Sequence, residues 1–543
     1  MSKKKNTHSS FSTKTPKPAA GVKPKATPQP RMKSVNKYFS SRWIYGIGFI
    51  LMWIFTSWTY GDVFSHIAAE NYFSFERLPM DFVLRRDGGE VFWVGRFLLL
   101  GFQNQWFGGF LLALILTVAA WLSDIPFRHN LGRAGIGFLP SLTALGYMVY
   151  RGFNLYVRHE VSVFLIISVG LLLLAAAFAF LFSRLCRNRD FTIVRTFPTA
   201  AVFALCGYGA LTYFALTHRE DVRLTCRMQN QLDKEDWEGM IETARSAQRP
   251  TRSMAALHAL GLLRSNRLLQ ELFEIPYDFP ELDLEDIGGT NEFPLFLADC
   301  NLHAGLVNAA YRTSMENTVL IGPRVSQFKR MAVCAILNGE KKLAKRYLNL
   351  IEKMPFEQKF IEKYAPMLED ASLIEQDPTL KSIKELAPLE EKFEQNYPPP
   401  AFLGYNSRML VGSNASLITS IATCLYSKDL DNLLSRAHEL RKKTTLPHSV
   451  LQALAIAYMK NPNILEMFPE ITQTMVFNEL QAFMGEAVPY LEQQFGTAAE
   501  KKEESQEDMR ETLKENWMGS YMYYYYCGNL SAPQHQSADH AVN

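Results

Sequence analysis

The amino-acid sequence predicts an all-α protein in two parts: a polytopic transmembrane helix bundle of about five spans, then a soluble α-solenoid of tetratricopeptide-like repeats. Three observations carry this. First, Val161–Ser183 runs for 23 residues without a charged side chain. At about 1.5 Å per residue it can cross the roughly 30 Å hydrocarbon core with some tilt. Second, charge is divided unevenly: net +11 over residues 1–42, +3 over 43–216 with no lysine, and −11 over 217–543. The overall +3 hides a basic tail, a membrane block and an acidic domain. Third, from residue 218 the apolar pattern is helical and its interruptions are regular. Pro250, Gly288-Gly289, Gly322-Pro323, Gly339, Pro355, Pro398–Pro400, Pro447 and Pro462 mark off helix pairs of about 30–40 residues.

The elements follow in order. Residues 1–42 are rich in Lys, Ser, Thr and Pro and hold little apolar area to offset chain entropy, so the sequence predicts a disordered cytoplasmic tail. Such a tail can meet anionic lipid or simply keep the N-terminus inside; no nucleic-acid contact is expected. The first span is predicted near 43–60, with Trp43, Trp58 and Tyr60 as interfacial aromatics and no cleavage site following it. The second is predicted near 98–122, centred on Trp106–Leu122, with Gln103-Asn104-Gln105 at its outer edge or facing the bundle. The third, near 134–150, is the weakest and carries Gly135, Gly137, Pro140 and Gly146. The fourth and fifth are predicted near 161–183 and 196–217. Arg184, Arg187, Arg189 and Arg195 crowd one end of the fourth and mark it as cytoplasmic. Five spans from an inside N-terminus place the C-terminal domain, 218–530, outside the cytoplasm, followed by a disordered tail at 531–543.

The first outer loop, 61–96, concentrates the chemistry of the membrane part. It holds Asp62, Glu70, Glu76, Asp81, Asp87 and Glu90 beside Arg77, Arg85, Arg86 and Arg96. A carboxylate there can act as a base or bind a cation, and an arginine can hold a phosphate. Asp81, Asp87 and Arg96 are the candidate catalytic residues on that view. The alternative is an interfacial helix whose charges pair with one another.

In the soluble part, 325–356 is the best repeat. Phe328, Ala332, Gly339, Ala344, Leu348 and Pro355 follow a large–small–turn–small–large–Pro order, in which small residues let two helices approach. A weaker copy spans 252–273, preceded by a helix with Trp237 and Ala244. Glu281, Asp283, Glu285 and Asp286 form an acidic loop without EF-hand spacing. No Walker A loop, nucleophile elbow or zinc-protease motif occurs, and the histidines are scattered. No metal or cofactor is expected. Seven cysteines without a C-x-x-C pair give no disulfide framework, although Cys226–Cys300 or Cys334–Cys424 bridges stay open. The Tyr521–Tyr526 run with Trp517 suits either ligand stacking or packing onto the last repeat.

Two stretches, Asp87–Phe97 (DGGEVFWVGRF) and Arg330–Lys353, together with the terminal tyrosines, resemble a family of bacterial multi-spanning membrane proteins of unknown function with a C-terminal tetratricopeptide-like helical domain. The resemblance implies the bacterial inner (plasma) membrane and carries no catalytic residues with it. The sequence as a whole points to an integral membrane protein that presents a helical-repeat domain for protein–protein interaction or envelope complex assembly, the lipid bilayer and a protein being its partners. The second reading is a membrane-embedded transferase or transporter subunit that uses loop 61–96.

Overall fold

The structure, a computed structural model, describes residues 41–127, 133–158, 160–185, 198–275, 293–391, 411–494 and 499–528. Most of the basic tail, the tail 531–543, the acidic loop at 281–286, Pro398–Pro400 and Arg187, Arg189 and Arg195 lie outside the described residues. All regular structure among the described residues is helical.

The N-terminal part begins with α1 (Ser41–Ile54), which continues through a π-helical turn, Phe55–Thr59, and breaks at Tyr60 into α2 (Gly61–Ala69). Two helices, α3 (Arg77–Leu84) and α4 (Gly89–Leu99), make up the rest of the outer loop. Next come α5 (Gln105–Ser123), α6 (Phe138–Arg151), α7 (Val163–Leu185) and α8 (Thr199–Thr217). Three of these, α5, α7 and α8, are long and apolar enough to cross a membrane. A fourth crossing exists if Trp43–Thr59 and Gly61–Ala69 are counted as one span, although the two are bent by 60°. The expected count of about five is therefore not reached by length and apolarity. The reason lies at 134–150, where α6 has only 14 residues and is about 21 Å long.

The start of α5 explains the polar trio. The Asn104 side chain accepts from the amides of Trp106 and Phe107, each at 3.1 Å, and so caps the helix. Gln105 donates to the Ser57 carbonyl at 2.6 Å and Gln103 to the Ala68 carbonyl at 3.3 Å. The two glutamines thus tie the start of α5 to the turn after α1 and to α2. Packing of α5 on α1, α6 and α7, and of α6 on α8, closes the bundle. At the opposite end Asp124 joins three elements. It accepts from the Tyr45 hydroxyl at 2.7 Å and from the Gly135 and Gly137 amides at 2.6 and 2.7 Å.

The C-terminal part starts with α9 (Glu220–Leu232), which packs directly on α2, then α10 (Trp237–Arg245) and α11 (Arg252–Arg264). Gly261 lets α11 approach α10: a Cβ there would lie 3.0 Å from Ile241 and 3.2 Å from the Trp237 carbonyl. The second helix of this weaker unit is cut down to the short turns Leu268–Glu271 and Leu272–Glu274. Helix pairs follow, α12 (Phe293–His303) with α13 (Val307–Ile321) and α14 (Val325–Leu337) with α15 (Lys341–Glu352). The last pair is the 325–356 unit. Gly339 turns the chain at φ 73°, and Ala332 and Ala344 are fully buried where the helices meet.

After α16 (Pro378–Leu386) come α17 (Asn414–Tyr426), α18 (Leu430–Arg441), α19 (His448–Lys460), α20 (Val476–Gln494), α21 (Ala499–Trp517) and α22 (Tyr521–Cys527). The chain breaks at Gly519, φ 98°, between α21 and α22, and restarts on the Ser520 cap. Here the array folds back on itself. Tyr524 donates to the Tyr426 carbonyl at 2.6 Å and its ring lies 4.8 Å from that of Phe273. One hydrophobic core accordingly runs from Leu224 in α9 to Cys527. Among the described residues no disulfide joins Cys226 to Cys300 or Cys334 to Cys424.

Candidate functional site

The candidate residues of the outer loop converge on a junction with the helical domain. Asp87-Gly88-Gly89 makes the turn between α3 and α4. Gly88 takes φ 74°, and Gly89 sits so close to the Val83 carbonyl that a Cβ would lie 2.3 Å from it. This turn lays α4 along α7, with Gly95 against Ser162, and aims Arg96 inward. Arg96 is buried. Its Nε donates to Glu160 Oε1 at 2.6 Å and its Nη1 to the Tyr72 carbonyl at 2.8 Å. The guanidinium also lies 5.4 Å from the centre of the Phe82 ring. Arg86 reaches the second oxygen of Glu160 at 3.4 Å.

Beside this pair the loop meets α14. The Ser326 hydroxyl donates to Glu70 at 2.7 Å, and Arg324 lies 3.9 Å from the same carboxylate while donating to the Tyr156 carbonyl at 3.2 Å. Arg330 donates to Ser326 at 3.2 Å and to Asp299 on α12 at 2.7 Å. Outside this buried core, Lys353 pairs with Glu76 at 2.6 Å and Arg227 on α9 with Asp62 at 3.0 Å. Apolar contacts complete the seam: Tyr72, Phe73, Met80 and Val83 from the loop pack with Val325 and Met354. The Tyr72 and Phe328 rings are 5.3 Å apart.

Electrostatics sort the two buried acids. Burial pushes the Glu70 carboxyl up, but His66, Arg324, Arg330 and the Ser326 hydroxyl outweigh it, so it lies below the ordinary glutamate value. Burial dominates at Asp299; Arg330 only partly opposes it, Asp233 and Glu70 add to it, and the carboxyl is pushed up to about 7. The junction is therefore a mixed lattice in which one acid is firmly ionised and another titrates near neutrality.

The three predicted catalytic residues occupy different settings. Arg96 is held by Glu160. Asp81, on α3, pairs with Arg85 one helical turn on at 2.5 Å, with the arginine largely exposed. Asp87 is exposed on the turn. Sequence inspection did not single out Asp299, Ser326 or Arg324. Glu160 merely precedes the predicted fourth span, and Arg330 is the first residue of the stretch Arg330–Lys353.

A second candidate lies within the helical domain. A cleft of about 620 Å³ opens between α10, α11, α16, α17 and α18, within the range of ligand pockets. Trp237, Arg264, Gln270, Ser382, Glu385 and Thr445 bring its polar groups, and Leu263, Ile418 and Leu446 its apolar ones. Arg264 lies over the Trp237 ring at 5.1 Å and donates to Ser382 at 2.6 Å, which fixes one wall. Two histidines in the same domain, His258 and His303, are pushed down to about 3 by burial and stay neutral. Among the described residues no three of His, Cys, Asp and Glu stand in an arrangement that could hold a metal ion.

No curated protein and no solved structure matches the chain. A family profile does match it, over residues 37–222 and 216–528, and its description is "Family of unknown function (DUF6057)". These two segments take in both the bundle and the helical domain, so the chain belongs to this family.

Proposed function

We propose that the chain is an integral protein of the bacterial inner membrane whose outer loops hold a helical-repeat domain rigidly on the bundle and present its cleft to a protein partner. The observation that supports this reading is the use made of the outer loop. Glu70, Glu76 and Asp62 each contact the helical domain, and Arg96 is spent on Glu160. A loop built for group transfer would leave these groups facing a substrate; here they fasten two parts of the chain together. The cleft next to Trp237 is where a peptide segment of the partner would lie, since it offers both hydrogen-bonding and apolar walls.

The short helix α6 supports our reading of the side of the membrane. It runs from the Asp124 end of the bundle, where Gly137 is bound, to the opposite end, where Gly152 abuts Arg219. Counted as a fifth crossing of a locally thinned bilayer, it sets the N-terminal tail and the helical domain on opposite sides. With the arginine-rich end in the cytoplasm, the domain is extracytoplasmic.

Reporter fusions after residues 130, 155, 190 and 230 test the topology; a cytoplasmic signal at 230 sinks the extracytoplasmic assignment. A photo-crosslinking residue at Thr445 tests the cleft. It should give a discrete adduct in intact cells, abolished by filling the cleft with Ala415→Trp. The transferase or transporter reading rests on Asp81 and Asp87, two acids of the loop that do not contact the helical domain. Loss of function in Asp81→Ala or Asp87→Ala, with the protein still inserted and the Thr445 adduct intact, would favour it.

A further inference from the structure

The bundle contains a crevice that neither the junction nor the cleft uses. It lies between α1, α6 and α8 and has a volume of about 340 Å³, at the lower end of ligand pockets. Ile44, Gly48, Phe138, Ala201, Val202 and Tyr208 are among its walls, and among the described residues Tyr208 is the one lining residue with a hydroxyl. Its shape depends on Gly48, where any Cβ would collide with the Phe138 ring at 2.3 Å. Its rim is open: Ile47, Val202 and Leu205 are 48%, 42% and 55% exposed. The surroundings of these helices are hydrocarbon in the membrane reading, on which this inference rests.

A lipid tail gains little hydrophobic free energy by moving from bilayer to crevice, because both are apolar. Packing contacts are left to hold the tail, and selectivity must come from the headgroup. The crevice supplies a cation at the right end. Gly135 closes that end, its Cβ position 3.3 Å from both Ala201 and Ile44. Arg133, two residues earlier, is exposed. This is also the end of the bundle held by Asp124, toward which the basic tail and the Arg184–Arg195 cluster lie in sequence. Anionic headgroups are drawn to such clusters.

We infer that the crevice between α1, α6 and α8 binds one acyl chain of an anionic phospholipid, whose phosphate is held by Arg133 on the cytoplasmic side. The full-length protein, purified in mild detergent, is incubated with phosphatidylglycerol or phosphatidylcholine and weighed by native mass spectrometry. Wild type should retain one phosphatidylglycerol with about a fivefold preference over phosphatidylcholine, the factor that one arginine near an anionic headgroup supplies. Arg133→Gln should keep lipid but lose the preference. Ala201→Trp, which fills the crevice, should lose the bound lipid; Val202→Phe, at the exposed rim, should lower retention with less risk to folding. Equal retention by wild type and both crevice variants, or no selectivity in the wild type, overturns the inference. Alkaline carbonate extraction is run in parallel. Release of the chain from membranes would instead remove the membrane reading beneath it.

Discussion

The two ends of the bundle are closed by different chemistry. At the Asp124 end, one carboxylate gathers a tyrosine hydroxyl and two backbone amides from within 79 residues of chain. At the other end, carboxylates and guanidinium groups from the loop, from Glu160 just ahead of α7, from α12 and from the start of α14 interlock, and Ser326 reaches Glu70 across 256 residues of sequence. The first device fixes a turn between neighbouring helices with dipoles and one charge. The second joins two separately patterned parts of the chain with ions. The difference teaches where the molecule is sensitive. Ion lattices respond to pH and to removal of a single partner, whereas a capped turn responds mainly to loss of its acceptor.

That contrast can be broken in graded steps. Arg96→Leu leaves the buried Glu160 with only the half-exposed Arg86 at 3.4 Å and should destabilise the protein by up to about 3–5 kcal/mol. Adding Glu160→Leu should recover most of the loss, since neither charge is then left alone. Thermal unfolding of the detergent-solubilised full chain measures both; a double variant no better than Arg96→Leu alone would show that shape, not charge, governs this pair. Asp124→Ala deprives three donors of their acceptor and should cost about 2–3 kcal/mol. It should leave proteolysis of the helical domain unchanged, because the damage is at the far end.

The pH prediction bears on the ionic end alone. Asp299 holds its proton up to about pH 7 in the folded chain, against an ordinary value of 3.8. The folded state thus binds more protons than the unfolded state over this window, and stability falls as pH rises through it. From pH 6 to pH 8 the loss is at most about 1.4 kcal/mol, and Asp299→Asn should flatten the profile. A wild-type protein that gained stability over this range would contradict the assignment. The smallest effect belongs to the rim. Lys353→Ala removes an exposed pair with Glu76 and should cost about 0.5 kcal/mol, disappearing in high salt.

Periodicity and punctuation were enough to place most helices of the soluble part. Between Pro398–Pro400 and Pro462, the stretch marked off again at Pro447, the structure has the helices Asn414–Tyr426, Leu430–Arg441 and His448–Lys460. Each has a local cause, such as the Ser413 and Asp429 caps and Pro447. Breaks inside helices were harder to see. Tyr60 divides the first apolar run, and a long apolar string carries no local mark for a 60° bend. The junction was legible by halves. Asp87–Phe97 and Arg330–Lys353 both stood out in the sequence, and the structure brings them to the same seam. Their connection could not be read, because Asp299 and Glu70 join Arg330 and Ser326 across 31 and 256 residues. Sequence spacing encodes helical neighbours, not contacts of that range.

The return of α22 onto the helix pair at the start of the domain bears on how the protein is made. Tyr521 is fully buried, its amide held by Gln452 at 2.9 Å, and Lys428 and Arg510 grip the last described carbonyls. An open array could settle unit by unit as it leaves the ribosome or crosses the membrane. This one cannot close its core until the tyrosine run has been synthesised. Chains truncated before residue 521 should therefore be degraded more readily by quality-control proteases than the full-length chain.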